Sequence, residues 1–578
     1  MNGGAIIAAV LARHGVKELF ALCGGHISPI LIGAEREGIR VVDVRDEKSA
    51  VFAADAVGRL SGIPGIAAVT AGPGLTNTIT AVKNAQLAQS PLIVFGGATA
   101  TILRGRGSLQ DIDQMSLMNP HVKWATSVSS TQDLVNVVER AFRISREGVP
   151  GPVFIEVPVD LLYDEDTVRG WYFKETGVDR AKDVGSKVLK LYLERHLNKV
   201  FKPGPHPEEN PVLSVRALDP EPDALEPVLS ALSRCKKPVL IVGSQATLEP
   251  DEIDELSAAI RTLGLPTFLG GMARGLLGVD DPLQLRHKRG KALKEADLVI
   301  VAGFPFDFRL GYGRAINKKA TLIAANRSSS DLKKNRRPDH GFRCDPGRFL
   351  RCLAKQFSSS PQTWSPWFNT LRDREAARDD EIAKMTLQEG SYVNPVKAVQ
   401  LLEDSMAQDA LMVVDGGDFV ATAAYVVKPR APLSWLDPGV FGTLGVGGGF
   451  ALGAALRNPD KEVWLIWGDG SSAYSLAEFD TFLRHQLPVI AVVGTDASWA
   501  QIAREQVEML GSACGTELRR TAYHTVAEGY GGKGILVEKT SELQPALEQA
   551  KAWRKEGYPV LINIQLSSSD FRKGSISM

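Results

Sequence analysis

The segment LIWGDGSSAYS, residues 465–475, ends a run of apolar residues with an aspartate held between two glycines. A short apolar run bounded by glycine is typical of a buried strand in a parallel sheet. Two explanations of the Gly-Asp-Gly ending are open. One is an ordinary turn, because glycine and aspartate are common turn residues. The other is that Asp469 binds a cation at the carboxyl end of the strand, where bare glycine backbone lets a phosphate approach.

The residues that follow favour the second explanation. A helical pattern comes after Asp469, and the next strand, PVIAVVG, ends at the loop TDASW. A strand–helix–strand unit makes a right-handed crossover and returns the chain to the same edge of the sheet. The ends of the two strands should therefore lie side by side, so that Asp496 can share a cation with Asp469. Gly470 and Ser471 open a helix whose N-terminal amides suit a diphosphate.

Apolar strands alternate with helical patterns along the whole chain of 578 residues, which is too long for a single core. This alternation predicts an α/β protein with three domains, each with a central parallel sheet flanked by helices. Charged and proline-rich residues separate the first two blocks, and a polar helical stretch separates the last two. The predicted domains are residues 1–165, 222–356 and 392–578, joined by linkers at 166–221 and 357–391.

The composition argues against several classes of protein. The 67 Lys and Arg residues balance 67 Asp and Glu residues, so no overall charge would attract nucleic acid. Five scattered cysteines form no CxxC pair, which favours a reducing compartment and no structural zinc. The sequence has no apolar run of about 18 residues that could span a membrane. Its first residues indicate a helix and lack the features of a signal peptide.

One helical segment in the first linker has two interpretations. In DVGSKVLKLYLERHLNKVF, residues 183–201, apolar residues recur at helical spacing and cations flank them. A helix that lies in a membrane surface has this pattern. A helix between domains that packs on the body of the protein has it too, and this second interpretation is favoured.

Three further motifs contain candidate functional residues, and each also has a purely structural explanation. Glu47 follows a strand at the start of an apolar helix, where the helix dipole favours an acid. In TAGPGLTN, Gly72 and Gly74 allow a close backbone approach before Asn77, or simply make a turn. The segment FGTLGVGGGFALGAAL is a helix crowded with small residues, against which a ligand or another helix could pack. It does not match GxGxxG, so it predicts no dinucleotide site.

Taken in this order over almost the whole chain, the motifs resemble the thiamine diphosphate enzymes of the acetolactate synthase superfamily. Segments such as GGHISPIL, AVTAGPGLTNTITAVKNAQLAQSP and VVDGGDFVATAA are similar to a narrower branch, the acetolactate synthase-like 2-hydroxyacyl-CoA lyases. The resemblance implies the thiamine diphosphate-binding fold, with pyrimidine-binding, central and diphosphate-binding domains. It implies thiamine diphosphate and Mg²⁺ as cofactors, whereas FAD is conceivable in the central domain and not expected.

The resemblance also implies roles for the residues at matching positions. Glu47 is expected to hydrogen-bond N1′ of the aminopyrimidine, and Leu444 to wedge the cofactor into its V shape. His26 and Gln110 are expected to act beside Glu47 as catalytic residues near the substrate. The other expected cofactor-binding residues are Gly72, Asn77, Gly417, Asp418, Gly468, Asp469, Gly470, Ser471 and Ser498.

The expected metal site departs from the superfamily pattern at one point. Most members have Asn-Asn where this chain has Thr495 and Asp496. With ungapped spacing, Asp469 and Asp496 are the side-chain ligands and Ser498 donates a carbonyl oxygen. With a shift of one residue, Thr495 is the ligand instead. Both registers stay open at this point.

The activity implied by the resemblance is a carbon–carbon lyase of fatty acid alpha-oxidation. It would cleave 2-hydroxy long-chain fatty acyl-CoA into formyl-CoA and an aldehyde one carbon shorter. One alternative is an acetolactate synthase-type transferase that condenses 2-oxo acids, which Leu109 disfavours because that family has phenylalanine there. The other is a non-catalytic cofactor-binding paralogue, which the intact Glu47 disfavours.

The resemblance further implies a homodimer or homotetramer, because sites of this kind form across a dimer. Similar proteins are anchored at the endoplasmic reticulum membrane by a hydrophobic segment ahead of the catalytic region, and face the cytosol. That location is expected here, with peripheral membrane contact through the linker helix left open. A soluble cytoplasmic form is the alternative.

Overall fold

The computed structural model describes residues 1–178, 183–209, 212–213, 215, 218–357 and 364–573. The chain divides into two compact units, here called unit 1 (Met1–Arg59 with Ile63–Val215) and unit 2 (Leu60–Gly62 with Arg216–Met578). Parts of both predicted linkers and the last five residues lie outside the described residues.

Unit 1 is built around one parallel sheet of six strands, in the order β2-β1-β3-β4-β6-β5. Strands β3, β4 and β6 are buried along their whole length, which explains their almost continuous apolar sequences. The strands are β1 (Glu18–Ala21), β2 (Arg40–Asp43), β3 (Gly65–Val69), β4 (Leu92–Ala98), β5 (Trp124–Ser127) and β6 (Pro152–Pro158). The helices are α1 (Gly3–Arg13), α2 (Ser28–Arg36), α3 (Glu47–Ser61), α4 (Pro73–Thr76), α5 (Ile79–Ala88), α6 (Gln114–Met118), α7 (Leu134–Arg146), α8 (Val159–Leu162), α9 (Glu165–Thr176) and α10 (Val184–Val200).

Unit 2 contains two more parallel sheets of six strands each. The first has the order β12-β11-β10-β7-β8-β9, and the second has the order β14-β13-β15-β16-β18-β17. The strands of the first are β7 (Pro238–Val242), β8 (Thr267–Leu269), β9 (Gln284–Leu285), β10 (Leu298–Ala302), β11 (Thr321–Ala325) and β12 (His340–Phe342). The strands of the second are β13 (Leu411–Asp415), β14 (Trp435–Leu436), β15 (Val463–Gly468), β16 (Ile490–Thr495), β17 (Lys533–Val537) and β18 (Val560–Gln565).

Two helices of unit 2, α14 and α16, begin at a residue whose side chain accepts backbone N–H groups of the first turn. Asn394 is an example: its side chain accepts the backbone N–H groups of Val396 and Lys397, and Pro395 occupies the first turn. The helices are α11 (Glu226–Arg234), α12 (Ile253–Leu263), α13 (Arg289–Glu295), α14 (Pro346–Gln356), α15 (Ser365–Met385), α16 (Pro395–Ser405), α17 (Asp418–Val426), α18 (Gly447–Arg457), α19 (Asp469–Ser472), α20 (Glu478–Arg484), α21 (Ala500–Leu510), α22 (Tyr523–Gly529) and α23 (Thr540–Lys555).

This architecture confirms the predicted class, three parallel sheets flanked by helices. The three sheets fall within the segments predicted as domains, while the boundaries themselves stay predictions. Because neighbouring strands run parallel, the loops after their carboxyl ends meet at one edge of each sheet. The candidate site residues lie on such loops in the first and third sheets.

The predicted linker helix is α10, and it packs on unit 1 through one face only. Leu193, Leu197 and Val200 are buried, whereas Val188 and Tyr192 of the predicted apolar pattern are exposed. Within the described ranges, every helix is too short or too polar to cross a lipid bilayer.

Candidate active site

Glu47 is the first residue of α3 and lies at the carboxyl end of strand β2. Its side chain is only 8% exposed, and its Oε2 accepts a hydrogen bond from Nδ2 of Asn77 at 3.0 Å. Gly74 lies beside it, since a Cβ there would be 3.4 Å from Oε1 of Glu47. The structure therefore brings together two candidate residues that the sequence places 30 positions apart.

His26 lies at the same edge of the sheet, in the loop after β1. Its Nδ1 is 3.1 Å from Oγ1 of Thr70, which directly follows β3. A Cβ at Gly74 would lie 2.7 Å from Cγ2 of Thr70. Thr70 therefore contacts both His26 and Gly74, the glycine that lies beside Glu47. Partial burial lowers the pKa of His26, so the neutral imidazole predominates at pH 7.

Gly72 and Gln110 touch each other on neighbouring loops. Gly72 has φ +63°, and a Cβ there would lie 2.9 Å from the carbonyl oxygen of Gln110. Gln110 also has a positive φ, +63°, which is uncommon for a residue with a side chain. The loop that carries Gln110 is thus held in a strained conformation against the bare backbone of Gly72.

Gln114 is the residue of unit 1 that the sequence analysis missed. It is 2% exposed; its Oε1 accepts the N–H of Gly72 at 3.1 Å, and its Nε2 donates to the carbonyl of Gly97 at 3.0 Å. Nε2 also donates to Oε2 of Glu156 at 2.9 Å. One amide therefore ties the turn after β3 to strands β4 and β6. The only sequence signal is a second glutamine four positions after Gln110 in LQDIDQ.

A cavity of about 320 Å³ opens beside these residues. Gln110 and Gln114 line it together with Arg104, Asp111 and Glu156. Arg104 bridges to Glu156, with Nη2 at 2.6 Å from Oε1. The cavity is polar on this side and large enough for a small polar group of a substrate.

In unit 2, Asp469 follows strand β15 and is 3% exposed. Its Oδ1 accepts the N–H of Gly470 at 2.8 Å, and its Oδ2 accepts the N–H of Ala497 at 2.8 Å. The second bond joins the ends of β15 and β16, which pair in parallel with Gly468 opposite Gly494. The predicted side-by-side placement of these two strand ends is confirmed.

Asp496 and Thr495 lie at the end of β16, and their side chains have different surroundings. Oγ1 of the buried Thr495 donates to Oδ1 of Asn563 on β18 at 2.6 Å. Asp496 interacts with Asp469: burial first, and then the charge of Asp469, raise the pKa of Asp496 to about 7. Burial likewise raises the pKa of Asp469 to about 6. The carboxylate of Asp496, rather than the hydroxyl of Thr495, thus shares its surroundings with Asp469.

Glycine backbone surrounds Asp469. Gly416 has φ +57° and Gly417 has φ +100°, and a Cβ at Gly468 would lie 2.7 Å from the carbonyl oxygen of Gly416. A Cβ at Gly470 would lie 2.4 Å from the ring of Trp499. A side chain at any of these positions would be strained or would collide, so the sequence keeps bare amides here.

Ser471 and Asp418 lie beside these glycines. Oγ of Ser471 donates to the carbonyl oxygens of Asp415 and Gly416, the latter at 3.3 Å. Asp418 pairs with Arg504, with its Oδ2 at 2.8 Å from Nη2. The Oδ1 of Asp418 is buried and has no hydrogen-bond partner among the described residues, so it can accept a bond from a ligand.

Leu444 packs directly over this backbone, because a Cβ at Gly416 would lie 2.0 Å from its Cδ2. The loop of Leu444 is held by Asp415, which the sequence analysis missed. The carboxylate of Asp415 is fully buried and accepts the N–H of Gly445 at 3.1 Å and of Gly447 at 2.8 Å. Burial raises the pKa of Asp415 to about 7. Its signal in the sequence is an aspartate that ends an apolar strand before two glycines, whereas Asp469 ends its strand between two glycines.

A larger cavity of about 850 Å³ lies within unit 2, beside the loop of Asp496 and Ser498. Asp418, Asp496 and Ser498 line one part of it, and Arg504 and Arg520 line another. Across the described residues, no three His, Cys, Asp or Glu side chains are grouped so as to hold a metal by themselves. A cation at Asp469 and Asp496 therefore needs further oxygen ligands from backbone or from a bound molecule.

Comparison with protein families gives three matches along the chain. Residues 1–117 match the N-terminal TPP binding domain of thiamine pyrophosphate enzymes, residues 225–353 match their central domain, and residues 415–564 match their C-terminal TPP binding domain. These matches cover the strand ends that carry Glu47 in unit 1 and Asp469 in unit 2.

Several curated proteins are similar over the full chain. The 2-hydroxyacyl-CoA lyase 2 of Danio rerio is 48% identical, covering 100% of this chain and 93% of that protein. The 2-hydroxyacyl-CoA lyase 2 of Homo sapiens is 46% identical, covering 100% of this chain and 92% of that protein. A probable acetolactate synthase of Mycobacterium bovis is 32% identical, covering 98% of this chain and 95% of that protein.

Proposed function

The chain belongs to the thiamine pyrophosphate enzymes, and from this premise we propose that it is a thiamine diphosphate-dependent 2-hydroxyacyl-CoA lyase. It cleaves 2-hydroxy long-chain fatty acyl-CoA into formyl-CoA and an aldehyde one carbon shorter, a reaction of fatty acid alpha-oxidation. The observation that carries the proposal is the full-length identity of 48% to a 2-hydroxyacyl-CoA lyase, against 32% to an acetolactate synthase.

The residues of unit 2 fit a diphosphate and its metal ion. Backbone amides at the glycine turns would donate to phosphate oxygens, and the two adjacent carboxylates are the hard oxygen ligands that Mg²⁺ prefers. Asp469 and Asp496 would bind Mg²⁺ with the carbonyl of Ser498. Thr495 is the poorer candidate, because a neutral hydroxyl is a weaker Mg²⁺ ligand than a carboxylate and this one is directed at Asn563. The residues that would border the diphosphate are Gly417, Asp418, Gly468, Gly470 and Ser471.

The residues of unit 1 fit the aminopyrimidine ring. Glu47 would donate a proton to N1′ and take it back, and Asn77 would keep the carboxyl oriented through its 3.0 Å bond. Gly72 would border the ring. In unit 2, Leu444 would supply the apolar wedge. When bound, thiamine diphosphate supplies a nucleophilic carbon and an electron sink for the carbon–carbon cleavage.

His26 and Gln110 would act on the acyl-CoA substrate. In the tautomer that donates Nδ1–H to Oγ1 of Thr70, Nε2 of His26 is the nitrogen that can accept the proton of the 2-hydroxyl group. The lowered pKa of His26 keeps that nitrogen unprotonated at neutral pH. Gln110 borders the cavity of about 320 Å³, where its amide can donate to a carbonyl oxygen.

Product identification tests the proposal. Purified protein with thiamine diphosphate and Mg²⁺ is given a 2-hydroxyacyl-CoA and, separately, pyruvate. Formyl-CoA with the shortened aldehyde is the expected result. Acetolactate from pyruvate would instead indicate the transferase, and no product from either would indicate a non-catalytic paralogue.

The assembly and the location belong to the same proposal. The resemblance of the motifs supports a homodimer or homotetramer. Light scattering coupled to size-exclusion chromatography measures the particle mass directly. It also supports attachment to the endoplasmic reticulum membrane on its cytosolic face, with a soluble cytoplasmic form as the alternative. Cell fractionation distinguishes the two locations, and FAD is not expected in the purified protein.

A further inference from the structure

Helix α10 presents an apolar surface to solvent. Val184, Val188, Leu191 and Tyr192 lie one turn apart on its outer side and are each between 54% and 78% exposed. Positions i, i+4, i+7 and i+8 share one face of a helix, so these side chains form a continuous stripe. A soluble protein normally buries such a stripe, and this one, here called the outer stripe, contributes nothing to the packing of unit 1.

The opposite side of α10 accounts for how the helix is held. Leu193 and Leu197 are buried in a small cluster with Val168 and Tyr172 of α9. Nε2 of His196 lies 2.8 Å from Oγ1 of Thr101. The helix is therefore fixed to unit 1 by its inner side, and the outer stripe is presented on a rigid support.

Cations surround the outer stripe. Arg195 and Lys199 continue the same exposed face by one and two turns, and Lys187 lies beside it. Glu194 and the capping Asp183 are the acids of this segment. From Asp183 to Lys202 the segment holds five cations against these two acids, in a chain whose overall formal charge is zero. The positive charge is thus concentrated locally where the apolar side chains are exposed.

We propose that the outer stripe docks this protein on an anionic lipid bilayer. Apolar side chains would enter the headgroup boundary, and the lysines and arginine would contact lipid phosphates and carboxylates. A second protein copy fits less well, because interface cores are depleted in lysine and stable interfaces bury ~800 Å² on each partner, more than four side chains provide. The inference adds a contact surface to the proposed membrane location and does not depend on the proposed reaction.

Vesicle flotation with the full chain tests this inference. We expect binding to phosphatidylcholine vesicles that contain about 30% phosphatidylserine, weaker binding to phosphatidylcholine alone, and release by salt. Val188→Ser with Leu191→Ser, and separately Lys187→Glu with Arg195→Glu, should each weaken binding about tenfold or more. Matched controls are Leu387→Ser, at a residue that is 78% exposed, and Lys318→Glu with Lys319→Glu, at exposed positions of unit 2.

The lyase assay with a water-soluble short-chain substrate is run on every variant. Unchanged turnover together with lost vesicle binding supports the inference, and it separates this surface from the catalytic site. The inference is overturned if the wild-type protein does not bind anionic vesicles. It is also overturned if the apolar variant and the charge variant both bind as the wild type does. A smaller particle mass for the stripe variants in light scattering would also overturn it, since the stripe would then join protein copies.

Discussion

Replacing Glu47 with glutamine removes the charge and acidity of one buried carboxyl group while its size stays the same. The carboxylate accepts one hydrogen bond, from Asn77 at 3.0 Å. A bond to a charged group contributes about 1.5–3 kcal/mol and a neutral one about 0.5–1.5 kcal/mol. The free energy of unfolding should therefore fall by only about 1 kcal/mol. An amide cannot exchange a proton with N1′, so turnover should fall by about 10²- to 10⁴-fold.

The assay measures formyl-CoA release by the Glu47→Gln variant at saturating thiamine diphosphate and Mg²⁺, beside a urea unfolding curve. Glu35→Gln is the matched control, because Glu35 is an exposed glutamate on α2 of the same unit, and it should leave both quantities unchanged. Wild-type turnover by the Glu47→Gln variant would refute the reasoning. A loss of turnover that merely follows unfolding would refute it as well.

Three further predictions concern unit 2. Burial raises the folded-state pKa of Asp415 from 3.8 to about 7, so between these pH values the folded protein holds a proton that the unfolded chain has lost. The free energy of unfolding of the wild-type protein should therefore fall relative to that of Asp415→Asn as pH rises from 4 to 7. Chemical unfolding should show a fall of up to about 4 kcal/mol. An unchanged difference across that range would contradict this. Gly416→Ala should weaken thiamine diphosphate binding in calorimetry at least tenfold, because its Cβ would meet Leu444 at 2.0 Å and its φ of +57° costs an alanine about 1 kcal/mol. Gly38→Ala, at φ +73° with open space, bears the backbone cost alone and should bind normally. Chelation of Mg²⁺ should abolish turnover reversibly. Asp496→Ala should raise the Mg²⁺ concentration needed for half activity by tenfold or more. If that concentration stays the same, Asp496 is not part of the metal site.

The strands of all three sheets could largely be predicted, because buried parallel strands are apolar along their whole length. Pairing of β15 with β16 followed from the right-handed crossover alone, and the bond between Asp469 and Ala497 bears it out. Six strands were not predicted. Five of them lie at the edges of their sheets, and two of these, β9 and β14, have only two residues, which show no period. The strands that were missed are β1, β5, β9, β12, β14 and β17.

The support of the candidate site was harder to predict than its central residues. Gln114 and Asp415 accept hydrogen bonds from backbone amides of loops that are distant in the sequence. Such contacts do not depend on a particular residue type or spacing, so no motif predicts them. The positive φ of Gln110, whose backbone lies against Gly72, has no signal in the sequence either. The different surroundings of Thr495 and Asp496 could not be predicted either, because the partner of Thr495 is Asn563, a residue on another strand.

The central proposal is that Glu47 binds the aminopyrimidine of thiamine diphosphate and that Asp469 binds the metal ion on the diphosphate. A crystal structure with thiamine diphosphate and Mg²⁺ tests it most directly. We predict a carboxyl oxygen of Glu47 within hydrogen-bond distance of N1′, and Asp469 and Asp496 bound to the metal on the diphosphate. A coenzyme bound with its pyrimidine away from Glu47, or with its metal bound by other residues, would contradict the account.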